Sequence, residues 1–384
     1  MNGLSRRVTV EIDLKALVRN YRRIVAHVRP AKVLCVLKAN AYGLGVGAYA
    51  RALADAGCRH FGVAEPFEAL ELRRHLGRRA DISVQILSSV LPDEIAPMVR
   101  AGVVLPVTDL ESARLISAAA VRARRTARVH FKLDTGMGRL GIVATGEGGV
   151  ERAVQTMLAV KRLAALDCEG VFSHFPMAYD PADPFTKRQL ALFRRVLKAA
   201  AAAGLGFKAV HIAASDGINN FPECAKKPFT LVRTGINLHG SFDPYGRRAL
   251  KVEPVLTFKT RVAQVRELAP GTTLGYGRTW CLNRPTRVAT ISAGYADGLP
   301  LALTNRGRVI IGGRLCPIIG RISMDYTTVD VSALETVKSG DEVICLGRFG
   351  KLSITPDDWA AIKGTHAYDI ICSFGSRVER KIRP

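Results

Sequence analysis

A chain of 384 residues with 48% hydrophobic content can bury a large core, and at this length two domains are expected. Its formal net charge is +23, but Arg and Lys are spread through helical stretches such as 71–79 and 122–128 without interleaved aromatics. A basic surface that draws anionic ligands is therefore expected, and specific nucleic-acid binding is not. The N-terminal MNGLSRRVTVEIDL has no apolar leader core, no stretch is apolar enough to span a bilayer, and the eight cysteines stand singly without a CxxC pair. A membrane span, zinc spacing and a disulfide framework are thereby set aside, no metal is expected, and the cytoplasm is the expected location.

In chain order, VTVEIDL alternates like a strand and is a candidate to pair with a later domain. Then come eight apolar runs: VLCVLK from Val33, FGVA from Phe61, ISVQIL from Ile82, VVLPV from Val103, VHFKLD from Val129, GVFSHF from Gly170, AVHIAAS from Ala209 and LVRTGI from Leu231. Between them, 46–56, 66–76, 110–125, 149–165 and 186–203 repeat apolar residues at three and four, as amphipathic helices do. Eight βα units predict a TIM-type (β/α)8 barrel rather than a doubly wound sheet, which usually carries fewer repeats. Beyond HGSFDPYGRRALK the helical period nearly vanishes. Runs such as VLTFKTRVAQV, RVATISAGY and EVICLGRF, punctuated by Gly, Pro and Asp, predict a mostly β C-terminal domain. The expected domains are 1–243 and 244–384.

Barrel chemistry sits at the carboxyl ends of the strands. Strand one ends at Lys38, strand five carries Lys132 and Asp134 with Arg139 just beyond, and strand six leads to His174. Strand seven leads to Ser215, and strand eight bears Arg233 before Thr234 and Gly235. Each alone has a plain structural explanation: a snorkelling lysine, a satisfied core histidine, a buried ion-pair partner, a turn serine. Together at one rim they point to a site, because a packed core has no need of two lysines, two arginines and a histidine.

A desolvated lysine at a strand end is suited to Schiff-base chemistry with a carbonyl. Loops after strands seven and eight often hold phosphate in such barrels, and Ser215 and Thr234–Gly235–Ile236 lie there. A reactive lysine across the barrel from a phosphate cup suits pyridoxal phosphate, whose aldehyde and phosphate lie at opposite ends of the ring, with Arg233 in place to face the pyridine nitrogen.

At this level of detail the chain resembles the alanine racemases, fold-type III pyridoxal-phosphate enzymes. The likeness runs through VLKANAYGLG, HFKLDTGMGRLG, FSHFPMA, VHIAASDG and LVRTGINLHG, then LGYGRTW, SAGYADGLP, GRISMD and HAYDIICSFGSRV. It implies Lys38 as the cofactor lysine and the base on one face of the substrate, with Tyr276 as the base on the other. It further implies Tyr42, Ser215, Gly235, Ile236 and Tyr368 at the phosphate, Arg233 at the ring nitrogen with His174 beside it, and Arg139 and the Met324 backbone at the substrate carboxylate. Lys132 matches a lysine often carbamylated in the family, where the carbamate orients the arginine corresponding to Arg139. The resemblance also implies a head-to-tail homodimer with Tyr276 acting in trans, an amino-acid substrate, and supply of D-alanine for peptidoglycan.

Racemisation requires proton removal on one face and delivery on the other, so two flanking groups are needed. A permanently protonated arginine at the ring nitrogen keeps that nitrogen unprotonated, weakening the electron sink and suppressing transamination. Pro176 and Met177 stand where the family usually has small residues and an acidic one, His239 where tyrosine is usual, and Ser323 where cysteine is common. A racemase of broader range, serine included, and a fold-type III decarboxylase are the alternatives. Decarboxylases usually place an acidic residue at the ring nitrogen, which Arg233 argues against. GLGVGA at Gly43 resembles a dinucleotide fingerprint but lacks its acidic partner. Asp134–Thr135–Gly136 resembles an aspartic-protease triplet but occurs once where two are needed.

Overall fold

The computed structural model describes residues 6–77, 79–242 and 246–383. Among them, eight parallel strands close into a barrel: Lys32–Val36, His60–Val63, Ser83–Ile86, Leu105–Val107, Ala127–Asp134, Leu166–Phe172, Ala209–His211 and Leu231–Thr234. Strand eight pairs with strand one through Leu231 opposite Lys32. The third–fourth seam is held by Ile86 N to Val104 O at 3.0 Å, and the seventh–eighth by Thr230 N to Val210 O at 3.0 Å and Arg233 N to Ala213 O at 3.1 Å. Closure leaves no edge strand exposed.

The helices between strands are set by local chemistry. Leu14–Val28 is capped by Asp13, whose carboxylate accepts from Ala16 N at 2.7 Å, and buries Leu17, Tyr21, Ile24 and Val28 at helical spacing. Pro at the first position opens Pro66–Leu76 and Pro184–Ala202, where its missing N–H costs nothing. The predicted helices form, with the sixth-strand follower starting two residues early at Pro184 and two others ending at Arg122 and Lys161. Leu14–Val28 and Pro92–Ala101 add to those named from sequence; the second carries Pro97 in its interior, which obscures its period.

The second unit is a largely antiparallel sheet built on the long strand Leu256–Leu268. That strand pairs with Glu342–Phe349 and Thr286–Ile291, and a register shift between Val262 and Gln264 lets it serve both. Thr9–Asp13 joins this sheet, antiparallel to Leu256–Leu268 and parallel to Glu379–Arg383, so the first and last strands of the described residues lie in one layer. The expected boundary at 243/244 lies outside the described residues. Two helices interrupt the β-rich pattern, Pro356–Lys363 and Ala367–Cys372. The latter carries Tyr368 back to the barrel rim, where its ring lies 5.7 Å from that of Tyr42.

Candidate active site

Strand one ends at Val36, and the chain then turns through Ala39, Asn40, Ala41 and Tyr42 with φ between 51° and 59°. Four consecutive non-glycine residues in the left-handed region are strained, each by roughly 1–2 kcal/mol, and persist only where surroundings impose them. Here they do. The Asn40 side chain accepts from Val46 N at 2.8 Å, Glu68 accepts from Ala39 N and, at 2.8 Å, from Ala64 N, and Arg380 donates to Gly43 O at 3.0 Å. The result is that Lys38 is held at the mouth of a cavity of about 880 Å³ with its side chain open to it.

The same cavity is lined by Tyr42, Lys132, Arg139, His174, Ser215, Arg233, Gly235 and Tyr368. The sequence-predicted rim residues of the barrel thus converge, although Ser215 reaches the rim from the start of a short helix rather than from the strand, which stops at His211. Ile236 is buried behind Gly235 and exposes no side chain to the cavity. Gly235 N donates to the Ser215 hydroxyl at 3.1 Å, and a Cβ on Gly235 would lie 2.2 Å from the Tyr42 hydroxyl. Only glycine lets these polar groups meet there.

Asp134 shapes the opposite wall. Its carboxylate accepts from Gly136 N at 2.8 Å, Gly138 N at 3.1 Å and Arg139 N at 3.2 Å, winding the loop that brings Arg139 back over the cavity. Of the charged groups lining the cavity, Lys38, Lys132, Arg139 and Arg233 outnumber Asp216 and Asp369, so it is cationic on balance. Burial, then Arg139 and Arg233, pull the Lys132 ammonium down to about 8. Burial, then Arg233, Arg139, Lys132 and Lys38, pull His174 to about 3, so its imidazole is neutral. Arg233 is fully buried, and burial lowers its guanidinium to about 9, still cationic at neutral pH. It donates to Ser173 O at 2.8 Å, Ile212 O at 2.7 Å, His211 Nδ1 at 2.8 Å and His174 Nδ1 at 3.2 Å. Burial raises the Tyr42 phenol well above its usual value, with Tyr368 adding to it, so Tyr42 stays a hydrogen-bond donor.

Three residues that shape this site escaped the sequence reading. His211 is fully buried on strand seven, and Phe172 stacks on it at 5.0 Å while receiving Lys132 and Arg233 over its ring at 5.6 and 5.8 Å. Glu68 sits on a helix 30 residues from Lys38, at a distance no local pattern reveals. Of the unusual positions, His239 is buried edge-on to Tyr42 with its Nδ1 3.1 Å from the Tyr49 hydroxyl, Pro176 lines the cavity, and Met177 accepts from the Tyr179 hydroxyl at 3.2 Å. Ser323 closes a turn with the Tyr326 backbone.

Tyr276 and Met324 stand apart. They are 73% and 51% exposed on the second unit, and neither lines the cavity of their own chain.

Residues 12–243 match the model of the alanine racemase N-terminal domain and 255–382 that of the C-terminal domain. The chain belongs to the alanine racemase family. An alanine racemase of Syntrophobacter fumaroxidans is 37% identical over 368 residues, 95% of each chain. The alanine racemase structure from Streptomyces coelicolor superposes with a TM-score of 0.91 at 32% identity, covering 98% of both chains. One from Bartonella henselae, solved with covalently bound pyridoxal phosphate, gives 0.86 at 30% identity over 99% of this chain and all of that one. Alanine racemases are isomerases, and both the barrel and the β-rich unit of this chain have their counterpart in the family.

Proposed function

We propose that this chain interconverts L- and D-alanine with pyridoxal phosphate by a two-base mechanism in which Lys38 and Tyr276 act on opposite faces of the α-carbon. The observation that carries the reading is the convergence, in one cationic cavity, of Lys38, the Ser215–Gly235–Tyr42 cradle and a buried arginine between them. The cradle suits a phosphate: hydroxyls and a backbone N–H meet where a side chain on residue 235 is sterically forbidden. Tyr42, Ser215, Gly235, the Ile236 backbone and Tyr368 would hold that phosphate, and Lys38 the aldehyde end. Bound there, the cofactor supplies a conjugated ring that disperses the electron pair left when the α-proton departs.

The protein's own groups do the rest. Arg233 donates to whatever ring nitrogen it meets and stays protonated at neutral pH, so the electron sink stays moderate. Because Arg233 can only donate, His174 must present a lone pair at Nδ1 and carry its proton on Nε2. That N–H is then free to stabilise a phenolate, the form in which Tyr276 can serve as a base. Arg139 and the Met324 backbone N–H would hold the substrate carboxylate. A carbamate on Lys132 would replace a cation beside Arg139 by an anion, and carbamylation requires the neutral amine that a pKa of about 8 makes accessible.

The exposure of Tyr276 and Met324 away from their own cavity supports completion of each site by a second copy, head to tail, in a homodimer. Among the described residues no helix is long and apolar enough to cross a membrane and no cysteines are paired, in keeping with a cytoplasmic enzyme feeding D-alanine to peptidoglycan. Purified protein loaded with pyridoxal phosphate should convert either alanine enantiomer to the racemate, with solvent deuterium entering at the α-carbon. After borohydride reduction, peptide mapping should place the pyridoxyl label on Lys38. A label on another lysine, or no exchange at the α-carbon, would sink the assignment.

A further inference from the structure

Among the described residues no carboxylate partners the buried cation Arg233; its guanidinium meets two carbonyls and two imidazoles. Such a charge is costly unless an anion reaches it. The interior of the barrel contains a route. His211 receives Arg233 Nη1 on its Nδ1 at 2.8 Å, its Nε2 lies 3.3 Å from His130 Nδ1, and His130 Nε2 lies 3.5 Å from a carboxylate oxygen of Glu169. His130 and His211 are buried, and Gly170 makes room for the first: a Cβ there would come within 2.6 Å of the His130 ring. Glu169 sits below the site on strand six, with Arg128 4.0 Å away.

Direction follows from donor and acceptor rules alone. Arginine has no acceptor, so His211 Nδ1 is unprotonated and its proton is on Nε2. That N–H points at His130 Nδ1, which must in turn be a lone pair, leaving the His130 proton on Nε2 facing Glu169. The end of the row is an anion. Burial pushes the Glu169 carboxyl up, but His130 and Arg128 outweigh it and hold it below its usual range, so it is ionised at neutral pH.

We infer that Glu169 and His130 are positioning residues of the site: through His211 they form a one-directional polar row, ended by the 3.5 Å contact of His130 with the Glu169 carboxylate, that fixes the imidazole tautomers facing Arg233. The row is polarised at both ends, by a cation that can only donate and a carboxylate that can only accept, and each bond reinforces the next. Loss of the far end frees both rings to exchange tautomers. A His211 with its proton on Nδ1 would confront the guanidinium with a second donor and release it from the position it occupies at the rim. The catalytic consequence rests on Arg233 serving the cofactor ring, as proposed above; the tautomers do not.

The test uses histidine labelled with nitrogen-15 in the apoprotein, where long-range proton–nitrogen spectra report which ring nitrogen carries the proton. His130 and His211, assigned by their single Phe variants, should each show a protonated Nε2 and a bare Nδ1. Glu169→Leu, which removes the acceptor without touching His211, should turn the His211 pattern into a tautomer mixture. It should also raise the Kd for pyridoxal phosphate and lower kcat by about tenfold, as loss of outer partners commonly does. Glu169→Gln keeps an acceptor and should restore the wild-type His211 tautomer, a rescue that a bulk packing role for residue 169 does not predict. A proton on Nδ1 of either ring in the unaltered protein, or an unchanged His211 pattern in folded Glu169→Leu, overturns the proposal. Should the Leu variant not fold, the wild-type tautomers decide alone. Wild-type tautomers as expected in a protein that fails to bind pyridoxal phosphate would refute the cofactor reading and leave the row intact.

Discussion

Arg233 shows how one residue can set the chemistry of a site through what it cannot do. Its guanidinium cannot accept a hydrogen bond, so every neighbour must offer a lone pair, and this assigns the protons of His174 and His211 at once. Burial, together with Arg233, keeps both imidazoles neutral: His174 is held at about 3 and His211 well below its usual value. An Arg233→Glu variant reverses the logic, because a carboxyl group that can carry a proton lets a ring nitrogen become protonated and deepens the electron sink. Racemisation should fall on the order of a hundredfold while the share of transamination rises. Product analysis by chiral separation, with pyridoxamine phosphate measured alongside, checks this. Unchanged partitioning would show that Arg233 does not face the ring.

At the level of elements, the barrel was legible because eight apolar runs alternate with three-and-four periodicity, and the rim residues were legible because barrel chemistry has a fixed address. Lys38, His174 and Arg233 needed nothing more. The helix Ala367–Cys372 was not, since a six-residue helix gives too short a period to stand out from the β-rich background, yet it is this helix that brings Tyr368 onto Tyr42. The left-handed turn after Lys38 was equally hidden. Ala, Asn, Ala and Tyr carry no glycine signal for positive φ, and the turn is held instead by partners from elsewhere, Glu68 and Arg380 among them. Glu68→Ala leaves Ala39 N and Ala64 N without their acceptor and should lower stability by about 1–3 kcal/mol. The same change should lower kcat more than it raises KM, because it loosens the lysine rather than the substrate contacts. Denaturant titration and steady-state kinetics on one preparation separate the two effects; an unaltered kcat would mean that the turn holds its shape without Glu68.

The whole molecule couples this buried chemistry to its stability and its assembly. His174, His211 and His239 are all buried with pKa values far below 6.5, His239 at about 3 through burial alone. An unfolded chain takes up these three protons as pH falls below 6.5, whereas the folded chain does not until far lower pH. Stability is therefore complete above about pH 6.5 and drains as pH falls, by roughly 4 kcal/mol per pH unit for three protons. Denaturant midpoints of the apoprotein between pH 7 and 5 should show this slope, and His239→Phe, which also removes a buried Nε2 without a hydrogen-bond partner, should cut it by about a third. A slope unaffected by that change would mean that His239 protonates in the folded state. Assembly is the other property of the whole molecule. If Tyr276 reaches the cavity of a second copy, the loss of either base should silence a homodimer, Lys38→Ala and Tyr276→Phe each costing on the order of a hundredfold to ten-thousandfold. A heterodimer of the two variants carries one site that lacks both bases and one that has both, Lys38 from one chain and Tyr276 from the other. After random subunit exchange half of the dimers are mixed, so activity should return to about a quarter of the unaltered level. Recovery of that size can come only from a site built by two chains; verified heterodimers that stay silent would place both bases on one chain.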